Sequence, residues 1–264
     1  MIGAHLCQLR GGCGSAWTNR KVAAGRGCVC KMGIETKSGT SMAEFGRLWA
    51  VAPAIDGAVV RRIPPGKRLF DIAVASAALV FFAPFLLLVA GLILAREGGP
   101  VFFLHERIGQ GGRPFRCIKF RTMVKDADAR LAELLARDPA ARAEWQATQK
   151  LANDPRINCL GAFLRKTSLD ELPQFLNVLK GDMSVVGPRP VVIEEAHHYG
   201  VHFADYIAVR PGVTGAWQVS GRSETTYAER VALDVEYVRN AGLWRDIVIV
   251  LKTVKVVLAR EGAR

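Results

Sequence analysis

No cysteine spacing in this chain matches a zinc or iron–sulfur site, no glycine cluster matches a nucleotide-binding loop, and no segment carries a recognition-helix or RNA-binding aromatic pattern. Those absences set aside metal-cluster proteins, P-loop and dinucleotide folds, and nucleic-acid binders. Acidic residues are scarce too: 24 Asp and Glu stand against 36 Lys and Arg, a formal net charge of +12 over 264 residues. An excess of that sign suits an anionic partner. With nucleic acid set aside, membrane lipid and a phosphorylated substrate are left. No secretory signal opens the chain, since the first apolar run begins only near residue 69. Four of the six cysteines, Cys7, Cys13, Cys28 and Cys30, crowd the first 30 residues. With Cys117 and Cys159 they read as unpaired thiols in a reducing, cytoplasmic setting.

Residues 1–62 hold nine Lys and Arg against three Asp and Glu and lack a sustained apolar period. A disordered basic tail and linker are expected there, with Met42 an alternative start of translation. Only one segment is long and apolar enough for a bilayer. Ile72 to Ala95 runs 24 residues without a charge, about 36 Å as a straight helix. Both of its flanks are basic: Arg61, Arg62, Lys67 and Arg68 before it, Arg96, Arg107, Arg113, Arg116, Lys119 and Arg121 after it. A spanning helix carries its positive charge to one side. Pro84, mid-run, removes a backbone hydrogen bond and bends a helix. A kinked, re-entrant helix over 63–98 explains both features. Charge and proline alone also allow a kinked span.

A catalytic domain is expected over 99–260, with an α+β fold. VFFLHER and PFRCIKFRTM flank IGQGGR, predicting a β-hairpin around a glycine turn. Residues 126–152 have helical composition broken at Asp138-Pro139, and further amphipathic helices are predicted at 168–180, 224–240 and 243–260. The last of these, apolar with Arg245, Lys252 and Lys255 interspersed, reads either as a core helix or as one lying at a membrane interface.

The chemistry concentrates in SLDELPQFLNVLKGDMSVVGPRP, Ser168 to Pro190. Asp170 and Glu171 are adjacent carboxylates. Ser168 and Glu171 also fit a capping box, which would give Glu171 a purely structural task. Arg165 lies five residues before Asp170, and Arg189 is held between Pro188 and Pro190. Carboxylates can attack a phosphate or hold a metal against it, and arginine is its natural bidentate partner.

These motifs, in order, resemble the bacterial sugar transferases, the monotopic polyprenyl-phosphate hexose-1-phosphate transferases of the exopolysaccharide-initiating type. The resemblance rests on Lys67-Arg68-Leu69-Phe70-Asp71, then Lys119-Phe120-Arg121-Thr122-Met123, the Asp170-Glu171 pair, Lys180 to Pro190, and Arg210 to Arg222. It covers about residues 67–260. Ala83 departs from the family's frequent serine before the kink proline. The resemblance implies a re-entrant membrane protein whose site faces the cytoplasm at the bacterial inner membrane. It implies transfer of hexose-1-phosphate from a UDP-sugar to undecaprenyl phosphate with release of UMP. Asp170 would be the nucleophile that carries the phosphosugar, Asp170 and Glu171 would hold Mg²⁺, and Arg189, Arg165 and Lys119 would bind phosphate. Galactose and glucose are the leading sugars, and a homo-oligomer is left open. The rival readings are a non-catalytic anchor or scaffold for polysaccharide assembly, which would not need Asp170, Glu171 and Arg189 together, and a multi-span transferase, which one apolar segment does not fit.

Overall fold

The computed structural model describes residues 61, 64–148, 151–221 and 225–259. The expected tail, 1–62, lies outside the described residues except for Arg61. That residue is docked: its N–H donates to Ala208 O at 2.9 Å and its Nη1 to Val238 O at 2.7 Å.

Helix α1, Pro65–Glu97, begins on Pro64-Pro65, where a missing N–H costs nothing, and ends at Gly98, whose φ of 65° stops it. Pro84 lies inside it and does not end it. Only 11% of its apolar window is buried, so this is not the core helix of a soluble protein. Its buried residues sit at two ends. Asp71 and Ala75 pack near the start, while Val89 and Ile93 pack near the finish against Phe120 and Leu164.

The basic residues at its start are used within the protein. Lys67 Nζ lies 2.7 Å from the buried Asp246 Oδ2. Arg68 donates to Val178 O at 2.7 Å and Leu179 O at 2.9 Å, the last carbonyls of a later helix, where a cation is favoured. Asp71 accepts from Ser184 Oγ at 2.9 Å and Val185 N–H at 3.0 Å. The donors of Arg61, Lys67 and Arg68 thus face protein acceptors.

The hairpin forms as expected. β1, Phe102–Ile108, pairs antiparallel with β2, Pro114–Phe120, with Phe102 opposite Phe120 and Ile108 opposite Pro114. Gly111 and Gly112 turn it at φ 69° and 73°, a region that disfavours a Cβ. Helices α2, Ala127–Arg137, and α3, Pro139–Thr148, break at Asp138 as the sequence predicts.

A helix not foreseen follows: α4, Cys159–Thr167. Asn158 caps it by accepting Gly161 N–H at 2.6 Å, and a Cβ on Gly161 would lie 2.0 Å from Thr122 O, so only glycine lets α4 seat there. Asn158 also donates to Glu97, which tethers α4 to the end of α1. A 3₁₀ turn, Leu169–Glu171, leads to α5, Gln174–Lys180. Asn177 on α5 accepts Ile118 N–H at 3.0 Å and donates to Arg116 O at 2.8 Å, fastening α5 to β2.

A second sheet, also unforeseen, pairs β3, Ser184–Val186, parallel with β4, Gly212–Thr214. Between them run a 3₁₀ segment, Ile193–His202, and the short α6, Phe203–Ile207. The chain closes with α7, Tyr227–Arg239, capped reciprocally by Thr226 and Glu229, and α8, Leu243–Ala259. On α8 Asp246 and Ile249 are buried, which fits the core-helix reading, while Trp244, Leu251 and Val254 are exposed. Among the described residues the fold is α+β, with two small sheets and one long apolar helix.

Candidate active site

Asp170 and Glu171 stand on the 3₁₀ turn between α4 and α5, not in the first turn of a long helix. Ser168 is the reason. It adopts the left-handed conformation (φ 57°) as the C-cap of α4, its N–H bonding Arg165 O at 3.2 Å, and its side chain caps nothing. Pro173 then delays α5 to Gln174. The capping-box expectation is overturned: Ser168 ends one helix and cannot begin the next. Glu171 is thereby left without that structural task.

Its carboxylate turns to β2 instead. Lys119 Nζ approaches Glu171 Oε1 to 2.6 Å, and both side chains keep partial exposure, 18% and 26%. The two line a small cleft, open to solvent, together with Arg107, Gln174, Arg189 and Gln218. Asp170 precedes Glu171 on the turn and is half-buried beside this cleft rather than lining it. Arg165, in the last turn of α4, is exposed, outside the cleft and close enough to Asp170 to favour its charge.

The two carboxylates are driven apart in acidity. Burial, then the Glu171 charge, pushes the Asp170 carboxyl up to about 6, against the pull of Lys119 and Arg165. Burial also opposes the Glu171 charge, but Lys119, Arg189 and the Lys119 hydrogen bond outweigh it and hold that carboxyl below its usual range. A pair divided this way has one member with a permanent charge and one close to its working range. The cleft's thiol is no rival nucleophile: burial raises Cys117 to about 11, so it stays protonated. His105 is held neutral, its pKa lowered to about 4 by burial and then by Arg107 and Lys119.

Arg189 is aimed by its loop. Val186 ends β3, Gly187 N–H donates to Thr214 O at 2.9 Å, and Gly212 N–H donates to Pro188 O at 2.8 Å. A Cβ on Gly212 would fall 2.1 Å from Gly187 N, so the two backbones meet only because both residues are glycine. Among the expected residues, the structure brings Glu171, Lys119 and Arg189 to one cleft, with Asp170 adjacent and Arg165 at the edge.

Arg107, Gln174 and Gln218 were not anticipated. Arg107 read as a flanking charge, yet its side chain is largely buried and lies 3.8 Å from Glu195. The signal for Gln218 was its place in the Arg210–Arg222 motif.

The pattern of the bacterial sugar transferase family matches residues 62–260 of the chain. Over 197 residues the chain is 51% identical to the exopolysaccharide production protein ExoY of Rhizobium meliloti, covering 75% of this chain and 87% of that one. It is 52% identical over 197 residues to the undecaprenyl-phosphate galactose phosphotransferase of Salmonella typhimurium, covering 75% of this chain and only 41% of that longer protein. It is 39% identical over 205 residues to the UDP-glucose:undecaprenyl-phosphate glucose-1-phosphate transferase of Caulobacter vibrioides, covering 75% of this chain and 71% of that one.

Proposed function

The chain belongs to the bacterial sugar transferase family, and on that premise we propose that it transfers hexose-1-phosphate from a UDP-sugar to undecaprenyl phosphate, releasing UMP, as an opening step of exopolysaccharide assembly. The observation that carries the reading is Glu171 with Lys119 and Arg189 lining one cleft, and Asp170 beside it on the same turn. UDP-galactose and UDP-glucose are the proposed donors, after the substrates named for the Salmonella and Caulobacter relatives.

In the first half-reaction an Asp170 carboxylate oxygen attacks the phosphorus bearing the sugar. The bond from that phosphorus to the UMP oxygen breaks, its electron pair leaves with UMP, and the phosphosugar stays on Asp170 as an acyl phosphate. An oxygen of undecaprenyl phosphate then attacks the same phosphorus. The bond to Asp170 breaks, the carboxylate returns, and undecaprenyl diphosphosugar departs. Two easier steps replace one difficult one. Arg189 and Lys119 offset the phosphate charge from fixed positions, without the cost of reorganising water.

Mg²⁺ fits the donor set. Two adjacent carboxylates completed by substrate phosphate oxygens and water are a common way to hold it, and no group of three or more His, Cys, Asp and Glu side chains converges among the described residues. Glu171 and Asp170 would be its protein ligands. When bound, Mg²⁺ supplies charge neutralisation at the phosphate oxygens.

The site lies at the cytoplasmic surface of the inner membrane, entered by α1 as a re-entrant helix. Both ends of α1 pack on the catalytic domain, at Ala75 and at Val89. The stretch between them is about 20 Å at helical rise, short of the roughly 30 Å of hydrocarbon a span must cross. Purified full chain in nanodiscs, offered a panel of UDP-sugars with undecaprenyl phosphate, is expected to release UMP with at least one donor. No UMP from any donor, with the protein folded and Mg²⁺ present, overturns the reading.

A further inference from the structure

Arg189 is the cleft's phosphate ligand in the reading above, and the present inference rests on that reading. Its backbone is fixed by the β3–β4 pairing, but its side chain donates to no acceptor among the described residues. What lies against it is an indole: the Arg189 guanidinium carbon sits 5.8 Å from the centre of the Trp217 ring. Trp217 begins the 3₁₀ turn Trp217–Val219, just after β4, so one stretch of chain holds both the backbone and the side chain of Arg189.

A second cation lies against the same indole. Arg230, on α7, places its guanidinium 4.2 Å from the Trp217 ring and 4.9 Å from the Tyr227 ring. Trp217 is 9% exposed. An indole buried in this way, with Arg230 against its ring, is held in place.

We infer that Trp217 is a positioning residue for Arg189, holding its guanidinium toward the cleft by the ring face so that its N–H donors stay free for the substrate phosphates. The chemistry of the alternative shows why. A carboxylate would fix the guanidinium equally well, but it would occupy two donors and cancel the charge that a phosphate needs. An aromatic face holds the cation through its quadrupole, fixes its plane, and takes no N–H. Lysine in place of arginine would lose the planar match to both indole and phosphate.

The test is a double-mutant cycle on the full chain in nanodiscs, read as kcat/KM for UDP-galactose and UDP-glucose with undecaprenyl phosphate. Trp217→Leu is expected to lower kcat/KM about tenfold or more, and Trp217→Phe, which keeps an aromatic face, to retain most of it. In an Arg189→Ala background the Trp217→Leu change is expected to cost less than about threefold, because the group it positions is gone. A purely structural tryptophan gives additive losses in both backgrounds, and that result overturns the inference, as does a Trp217→Leu enzyme near wild-type rate.

Should Trp217→Leu not fold, the chain labelled with fluorinated tryptophans keeps the question open to measurement. Fluorine withdraws density from the ring face with little change in volume. kcat/KM is expected to fall stepwise with fluorination in the wild-type chain and to stay level in Arg189→Ala. A parallel decline in both backgrounds refutes the role. An unsubstituted protein inactive with every donor refutes instead the functional reading on which this inference stands.

Discussion

Lys119 Nζ and Glu171 Oε1 stand 2.6 Å apart, across from each other on a strand and a turn that are 52 residues apart in sequence. The pair is partly exposed, so its attraction alone adds little to stability. Its effect is electrical: a lysine beside Glu171 keeps that carboxylate charged while leaving Asp170 the more basic of the two.

Lys119→Met is therefore expected to fold normally and to lose on the order of tenfold or more in kcat/KM, through a cleft that has lost a phosphate-neutralising charge. Glu171→Gln is expected to be slow as well, with a raised Mg²⁺ requirement that added Mg²⁺ partly meets. Titrating Mg²⁺ against UMP release separates the two. An unchanged Mg²⁺ half-saturation in Glu171→Gln would remove Glu171 from the metal site.

Asp170 carries the covalent step in the proposed mechanism. Protein given UDP-sugar and Mg²⁺ but no lipid acceptor is expected to gain one phosphosugar, visible by intact-protein mass spectrometry and placed on Asp170 by peptide mapping. Asp170→Asn should form no adduct and lose nearly all turnover, because a neutral amide is a poor nucleophile. Sequential kinetics with no trapped adduct would make Asp170 a general base in a direct transfer, and the covalent assignment would fall.

The parts legible in the sequence were those set by local chemistry. The glycines at 109, 111 and 112 announced the hairpin turn, Asp138-Pro139 announced the helix break, and the dyad and Arg189 stood out by residue type and spacing. The parts missed depend on contacts remote in sequence. Helix α4 spans only Cys159–Thr167, and it seats where it does because Gly161 can touch Thr122. Ser168 carries the letters of an N-cap, but without α4 in view its task as a C-cap is invisible. β3 and β4 are three residues each and pair in parallel, too short to show alternation. Arg107 joins the site through tertiary placement that no spacing encodes, and Trp217, though inside the Arg210–Arg222 motif, meets Arg189 only through the fold.

A pH dependence of stability follows from Asp234. The residue is 1% exposed, its Oδ2 accepts the Tyr199 hydroxyl at 2.8 Å, and its Oδ1 has no hydrogen-bond partner among the described residues. Burial raises its carboxyl to about 7, despite the Tyr199 hydrogen bond and the nearby Arg230 and Arg189. The folded state thus keeps a proton that the unfolded chain releases near 3.8. By linkage, stability falls as pH rises from the unfolded value through the folded one and levels off above it, by on the order of 4 kcal/mol at most. Thermal unfolding in detergent is expected at a lower temperature at about pH 8 than at about pH 5. Asp234→Asn, which mimics the protonated acid and can still accept from Tyr199, should flatten that difference. A slope unchanged in Asp234→Asn would assign it to other groups.

Pro84 is the remaining lever, because α1 runs unbroken from Pro65 to Glu97 while packing at both ends on one domain. A straight helix of that length reaches about 50 Å, and proline withholds the N–H that would bond Val80 O at its middle. Pro84→Leu restores that bond and favours a straight rod, which must give up one packing site and cross the bilayer. The segment before α1 should then move to the periplasmic side. A single cysteine near residue 60, in an otherwise cysteine-free chain in cells, reports the move through a membrane-impermeant thiol reagent. In the Pro84 protein that cysteine is expected to be protected from outside, and in Pro84→Leu labelled. Labelling already in the Pro84 protein means that α1 spans the membrane. Protection in both means that packing at Ala75 and Val89, not the proline, holds the helix on one face.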